Sequence, residues 1–135
     1  MFLRLKSVDR RITEIETIVA RIGDQRWFAP GMKRFENGQQ TTHVTVNPVV
    51  ERHTWSPDLQ LERASYKGTQ VMDRRFPLVD TEHGIALGLA TFRREGPDTS
   101  TLLLAEIFKF TDGKLREIRA VILNLPNGAG TGWTG

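Results

Sequence analysis

The sequence predicts an α+β domain, on three observations. Residues 101–124, TLLLAEIFKFTDGKLREIRAVILN, read as two strands joined by Asp112-Gly113, the strongest short-range signal for a two-residue hairpin, because both central residues of a type I′ turn need positive φ. Further strand-like segments precede this hairpin. Ahead of them stand a helical spacing of aliphatic residues from Val8 to Ile22 and the compact helix start Ser56-Pro57-Asp58. Helices gathered at the front and successive antiparallel strands behind them define the class. With 135 residues and 39% hydrophobic content, the chain suits one domain spanning residues 1–135, large enough for a core.

Residues 3–22 admit two readings. Val8, Ile12, Ile15, Ile18, Val19 and Ile22 recur at helical spacing, with Ser7 or Asp9 as cap and Gly23 as stop. Yet Asp9 to Val19 echoes Asp112 to Ile122 in phase, which makes Leu3 to Arg21 a second hairpin. The helix is favoured on architectural grounds, since a curved sheet needs a helix on its concave side.

The cluster Trp27 to Met32 ends in a Pro-Gly break and reads as a packed loop. Arg34 to Asn37 follows as a short strand closed by Asn37-Gly38, and residues 39–50 as loop with one short strand and a turn at Asn47-Pro48. Ser56 as N-cap, Pro57 at the first helical position and Asp58 near the positive end of the dipole start a short helix that ends near Arg63 or Ala64. Tyr66 to Val79 has strand character, with Pro77 suited to an edge or bulge. Asp80 to Gly84 is a turn, and Ile85 to Arg94 a strand in which Gly88 marks a bend. The tail from Pro126 is too rich in glycine to be regular, and Trp133 anchors it.

The hairpin loop places Thr111 opposite Lys114 and Phe110 opposite Leu115. Regular pairing beyond that sets Phe108 opposite Glu117, Glu106 opposite Arg119 and Leu104 opposite Val121. Apolar residues then occupy both faces, so one face expects helices and the other a partner subunit or loops.

Composition excludes several classes. The chain has no cysteine, which removes disulfides, thiolate chemistry and cysteine zinc sites and suits a reducing cytoplasm. No apolar run approaches a membrane span, and the start MFLRLKSVDRR lacks the apolar core of a signal peptide. A net charge of +3 with both signs interspersed gives no basic stripe for nucleic acid. Neither a metal-ligand spacing nor a phosphate or dinucleotide loop is present, so no metal or other cofactor is expected.

From about Arg34 to Trp133 the chain resembles the SnoaL-like branch of the NTF2-like superfamily. The resemblance rests on Arg34-Phe35-Glu36-Asn37-Gly38, residues 74–80 (RRFPLVD), His83-Gly84, residues 105–110 (AEIFKF), Asp112-Gly113-Lys114-Leu115, Leu125-Pro126 and Gly132-Trp133. It implies a cone-shaped α+β barrel, in which a curved antiparallel sheet wraps around N-terminal helices, with a pocket at the open end and dimerisation through the sheet. The superfamily spans cyclases, isomerases, dehydratases, epoxide hydrolases and non-catalytic binders, so the fold alone does not name a chemistry. The epoxide hydrolases place an Asp on the last strand, where this chain has Ala120 or Leu123, which argues against that activity.

Glu106 is the leading candidate, an acid in an apolar strand whose carboxylate suits acid/base work if its face lines a pocket. Arg119 is its expected partner, either an enolate stabiliser or half of a structural ion pair. Tyr66 and Asp73 are candidate second proton-transfer groups. Trp27, Phe28, Phe35, His43, Trp55 and Phe108 are candidate ligand contacts around a pocket. The expected function is cofactor-independent proton transfer on a small, apolar, carbonyl-containing molecule, of the isomerase, cyclase or dehydratase kind. The alternative is a non-catalytic, dimeric small-ligand-binding module. Expected partners are the small molecule and a second copy of the chain, with neither nucleic acid nor membrane.

Overall fold

The structure, a computed structural model, describes residues 28–63, 69–94, 96 and 100–132. These residues form strands β1 (Phe28–Glu36) and β2 (Gln39–Gln40), a 3₁₀ turn at Glu51–Thr54, helix α1 (Pro57–Arg63), and strands β3 (Thr69–Asp80), β4 (Ile85–Arg94), β5 (Thr101–Thr111) and β6 (Lys114–Leu125). The strands make one six-stranded sheet in the order β2-β1-β6-β5-β4-β3.

This architecture corrects the expected fold. In place of a curved antiparallel sheet wrapped around N-terminal helices, the described residues form a mixed sheet with one seven-residue helix and one 3₁₀ turn. The sheet is mixed because β1 runs parallel to β6. Nearly the whole described chain separates those two strands, so no tight turn forces them to be antiparallel. The cone-shaped NTF2-like barrel therefore does not describe this arrangement. The two readings of residues 3–22 lie outside the described residues, as do Trp27, Tyr66 and Trp133. No helix among the described residues is long and apolar enough to cross a membrane, which says nothing of crossing by strands.

Local chemistry explains the elements. Asp112 and Gly113 have φ of 52° and 73°, the left-handed pair that a type I′ turn requires. Asn37 and Gly38 repeat the device between β1 and β2, with φ of 48° and 83°. Asn37 also fastens the end of β1 to β6: its amide donates to the Ile122 carbonyl while its Oδ1 accepts from the Ile122 N–H. The Ser56 Oγ accepts from the Leu59 N–H at 3.3 Å, the capping contact expected before Pro57. The Trp27 to Met32 segment, expected as loop, is strand from Phe28 onward, and Gly31 at φ 70° lies where the β1–β6 register shifts. Pro77 falls in a register shift of β3, the edge strand, where its missing N–H costs no ladder bond.

The hairpin register departs from regular pairing one step beyond the turn. Phe110 pairs with Leu115, but Lys109 pairs with Glu117, so Arg116 is the extra residue of a β-bulge. Past it, Phe108 pairs with Ile118, Ile107 with Arg119 and Glu106 with Ala120. One face of the sheet consequently collects the core, Met32, Ala86, Phe108, Leu115 and Ile118, with Phe28, Phe76, Val79 and Phe110 packed against it. The other face leaves Leu78, Ile107, Val121 and Leu123 exposed.

Candidate functional site

Glu106 lies on the core face and is 8% exposed. Its partner is Arg34, whose Nη2 donates to Glu106 Oε1 at 2.9 Å while Nε donates to Glu36 Oε1 at 2.9 Å. Arg34 reaches it from β1, over β6, because Ala120 at the Glu106 register carries only a methyl group. The Arg34 backbone is held in turn: its N–H donates to Thr42 Oγ1 and its carbonyl accepts from the Thr41 N–H, both at 2.8 Å. Arg119, opposite Ile107, projects from the other face. It donates to Glu117 Oε1 and stacks over the Phe35 ring at 4.5 Å.

Beside Glu106 is a hollow lined by Arg74, Phe76, Gly88, Phe92 and Phe108. Its volume is about 20 Å³, enough for a single water molecule and no more. Gly88 explains why it is so tight. A Cβ there would lie 3.0 Å from the Phe108 ring and 3.1 Å from the Phe76 ring, so the two aromatics already close over the position.

A roomier cleft, of about 200 Å³, opens between the start of β1 and the start of α1. Phe28 to Met32 form one wall, and His43, Ser56, Pro57 and Asp58 the other. The second wall is assembled by backbone contacts. The His43 N–H donates to the Trp55 carbonyl at 3.0 Å, and Val44 N–H to the His53 carbonyl at 2.9 Å. Gln60 ties both segments together by donating to the carbonyls of Thr41 and Arg52. His43 has φ 52°, a strained backbone for a residue with a Cβ, of the kind that clusters at functional positions.

Asp58 is the chemically exposed element of this cleft. Its Oδ1 is shielded from solvent and has no hydrogen-bond partner. Burial pushes its carboxyl above the usual value of 3.8, and the nearby His43 pulls it partly back. No ion pair joins the two. The cleft thus brings two titratable side chains to one ligand-sized space, with an aromatic and aliphatic wall opposite.

The sequence-derived candidates separate accordingly. Phe28 and His43 line the larger cleft, and Glu106 and Phe108 line the water-sized hollow. Phe35 and Arg119 meet each other on the opposite face. Trp55 lies under the Arg63 guanidinium at 5.5 Å. Asp73, exposed and at φ 51° in a β3 register shift, lines neither hollow. Asp58 and Arg34 were missed as site residues. Asp58 reads from sequence as a helix-dipole partner, with nothing to place it in a cleft beside His43; the strand and turn signal around Arg34 gives no hint of a partner 72 residues away. Among the described residues no group of three or more His, Asp or Glu is placed to hold a metal ion.

Fold and site together define a small mixed-sheet protein with a ligand-sized cleft at one corner of the sheet. The chain belongs to the family described as Domain of unknown function (DUF8021), whose model matches residues 8–122. Comparison with curated proteins gives no match.

Proposed function

We propose that this protein is a binding module for a small organic molecule, held in the cleft between β1 and α1. The observation that carries the reading is the cleft itself: about 200 Å³ of space bounded by Phe28 and Met32 on one side and His43 and Asp58 on the other. Its accessible lining is more polar than apolar, with Phe28 and Pro30 as the apolar part, and its fixed polar groups orient a bound molecule. Binding is favoured over proton transfer at Glu106, because the hollow beside that carboxylate has room for one water and Arg34 already occupies Glu106 Oε1. Glu106 and Arg34 then serve as a structural clamp between β1 and β5.

Two further elements belong to the same reading. A second copy of the chain covers the apolar outer face of the sheet, where Leu78, Ile107, Val121 and Leu123 are each 44% exposed or more, a patch of the sort that marks an interaction surface. The cysteine-free sequence suits a cytoplasmic setting.

The test is an NMR titration with benzyl alcohol, a neutral aromatic probe of suitable size. Saturable shifts at Phe28, the Met32 methyl and His43 are expected by about 10 mM, where an affinity of ~1 mM, worth roughly −4.1 kcal/mol, saturates. Shifts confined to Phe76 and Phe108 would move the site to the Glu106 hollow, and no saturable shift at all would end the binding reading.

A further inference from the structure

We infer that the molecule bound in the β1–α1 cleft carries a carboxamide, which the main chain at Gly31 recognises. This deepens the proposed function and rests on it. Strand β1 pairs with β6 at Phe28 and Leu115, and pairs again only at Lys33 and Glu117. Ala29, Pro30, Gly31 and Met32 therefore have no register partner, while β6 advances by Arg116 alone. Main-chain groups released from a ladder need other partners. Ala29 and Met32 are 5% and 2% exposed, and Met32 packs in the core. Pro30 and Gly31 are exposed. The whole stretch lines the cleft, and a glycine can line a cleft only with main-chain atoms.

The wall is open to close approach. Gly31 has φ 70°, and a Cβ added there would meet no protein atom within 4 Å, so a ligand can reach its main chain directly. The cleft is more polar than apolar although only His43, Ser56 and Asp58 bring polar side chains to it, as a main-chain wall requires. Pro30 has no N–H, so the stretch offers the Gly31 N–H as donor beside the carbonyls of Pro30 and Gly31 as acceptors. A ketone can only accept, and an alcohol donates and accepts at a single atom. A carboxamide holds a donor and an acceptor side by side in one plane, the arrangement by which an added strand reads a sheet edge. Phe28 supplies apolar surface for the rest of the ligand.

The experiment compares benzamide with acetophenone, its near-isostere without the N–H donors, on the full 135-residue chain. NMR titration gives both affinities, and the readouts of contact are the Gly31 amide proton and the Pro30 and Gly31 carbonyl carbons. Benzamide is expected to bind at least about fivefold more tightly, the effect of one added hydrogen bond. On benzamide binding the Gly31 amide proton should move downfield and exchange more slowly with solvent. The preference should persist in Asp58→Asn, because the main chain carries it. Equal affinities of benzamide and acetophenone overturn the inference and leave intact the binding reading, which benzyl alcohol tests. A benzamide preference with no change at Gly31, or one lost in Asp58→Asn, assigns the amide to side chains and also overturns it. Failure of benzamide, acetophenone and benzyl alcohol alike to bind removes the cleft as a site, and this inference with it. The comparison in the unaltered protein stands even if the variant does not fold.

Discussion

Arg34 and Glu106 meet at 2.9 Å although 72 positions separate them, and the strand between them accommodates the contact through the methyl group of Ala120. Two strand spacings amount to roughly 9–10 Å, a span within the reach of an Arg and a Glu extended toward each other. Their side chains are only 15% and 10% exposed, so the pair is largely desolvated.

Breaking that pair from one side should therefore be costly. Arg34→Ala is expected to lower stability by about 3 kcal/mol, because it leaves the largely buried Glu106 carboxylate without its partner, and Glu106→Ala by less, because Arg34 keeps its contact with Glu36. The joint variant Arg34→Met with Glu106→Leu should lose much less. Arg119→Ala, which removes only a contact with Glu117 and the face of Phe35, should cost less than about 1 kcal/mol. Urea unfolding of the four proteins checks the order. A large Arg119 effect, or a double variant as weak as the singles, would contradict the pairing.

Gly88 supports a second prediction. An added Cβ would press on Phe108 at 3.0 Å and Phe76 at 3.1 Å, ring edges already held in the core. Gly88→Ala should destabilise by about 1–3 kcal/mol through overpacking. It should leave benzyl alcohol binding in the other cleft unchanged, which thermal unfolding and the NMR titration can read separately.

Two aspartates should show opposite pH dependence. Burial raises the folded-state value of Asp58 above 3.8, so the folded protein holds that proton more tightly than the unfolded chain. Its contribution is present in acid and lost as pH rises through the folded value. Asp58→Asn is thus expected to raise Tm at neutral pH, with the gain vanishing in acid. Asp80 behaves in reverse. The His83 N–H, and then its ring, hold the Asp80 carboxyl below 3.8, with the Oδ1 accepting from the Glu82 and His83 N–H groups at 3.0 Å. Its contribution is present above the unfolded value and lost as pH falls through the folded one, so Asp80→Asn should lower Tm at neutral pH and matter progressively less in acid. Tm measured from pH 3 to 8 tests both signs.

The outer sheet face yields a prediction about assembly. Val121 is 57% exposed beside Leu123 at 54% and near Ile107. If a second copy covers this patch, Val121→Glu should convert a sedimenting dimer to monomer with little effect on Tm at low concentration, because a charge in a dry interface opposes association. A protein that sediments as a monomer before any substitution would refute the covering.

Legibility from sequence was best where the signal is local. The Asp112-Gly113 turn, the Ser56 cap and the β4 strand at Ile85–Arg94 all match their expected positions, because each depends on the φ/ψ preferences or side chains of adjacent residues. The β-bulge at Arg116 was not legible. Nothing in KLREIRAV marks where an extra residue enters, since a bulge is set by how β6 pairs with β5 and with β1 at once. That single insertion flips every later residue of β6 to the other face, sending Arg119 to the outside and Ala120 inward.

The sequence by itself thus determined the hairpin, the short helix, the strand-rich second half and a composition without cysteine. These follow from residue type and spacing alone. Only the tertiary structure decided that the sheet is mixed, that Glu106 belongs to Arg34 and not Arg119, and that Asp58 is left without a donor beside His43. Each of these is a long-range pairing outcome. It depends on which backbone edges meet and which side chains are then shut away from water, and no stretch of sequence carries that information on its own.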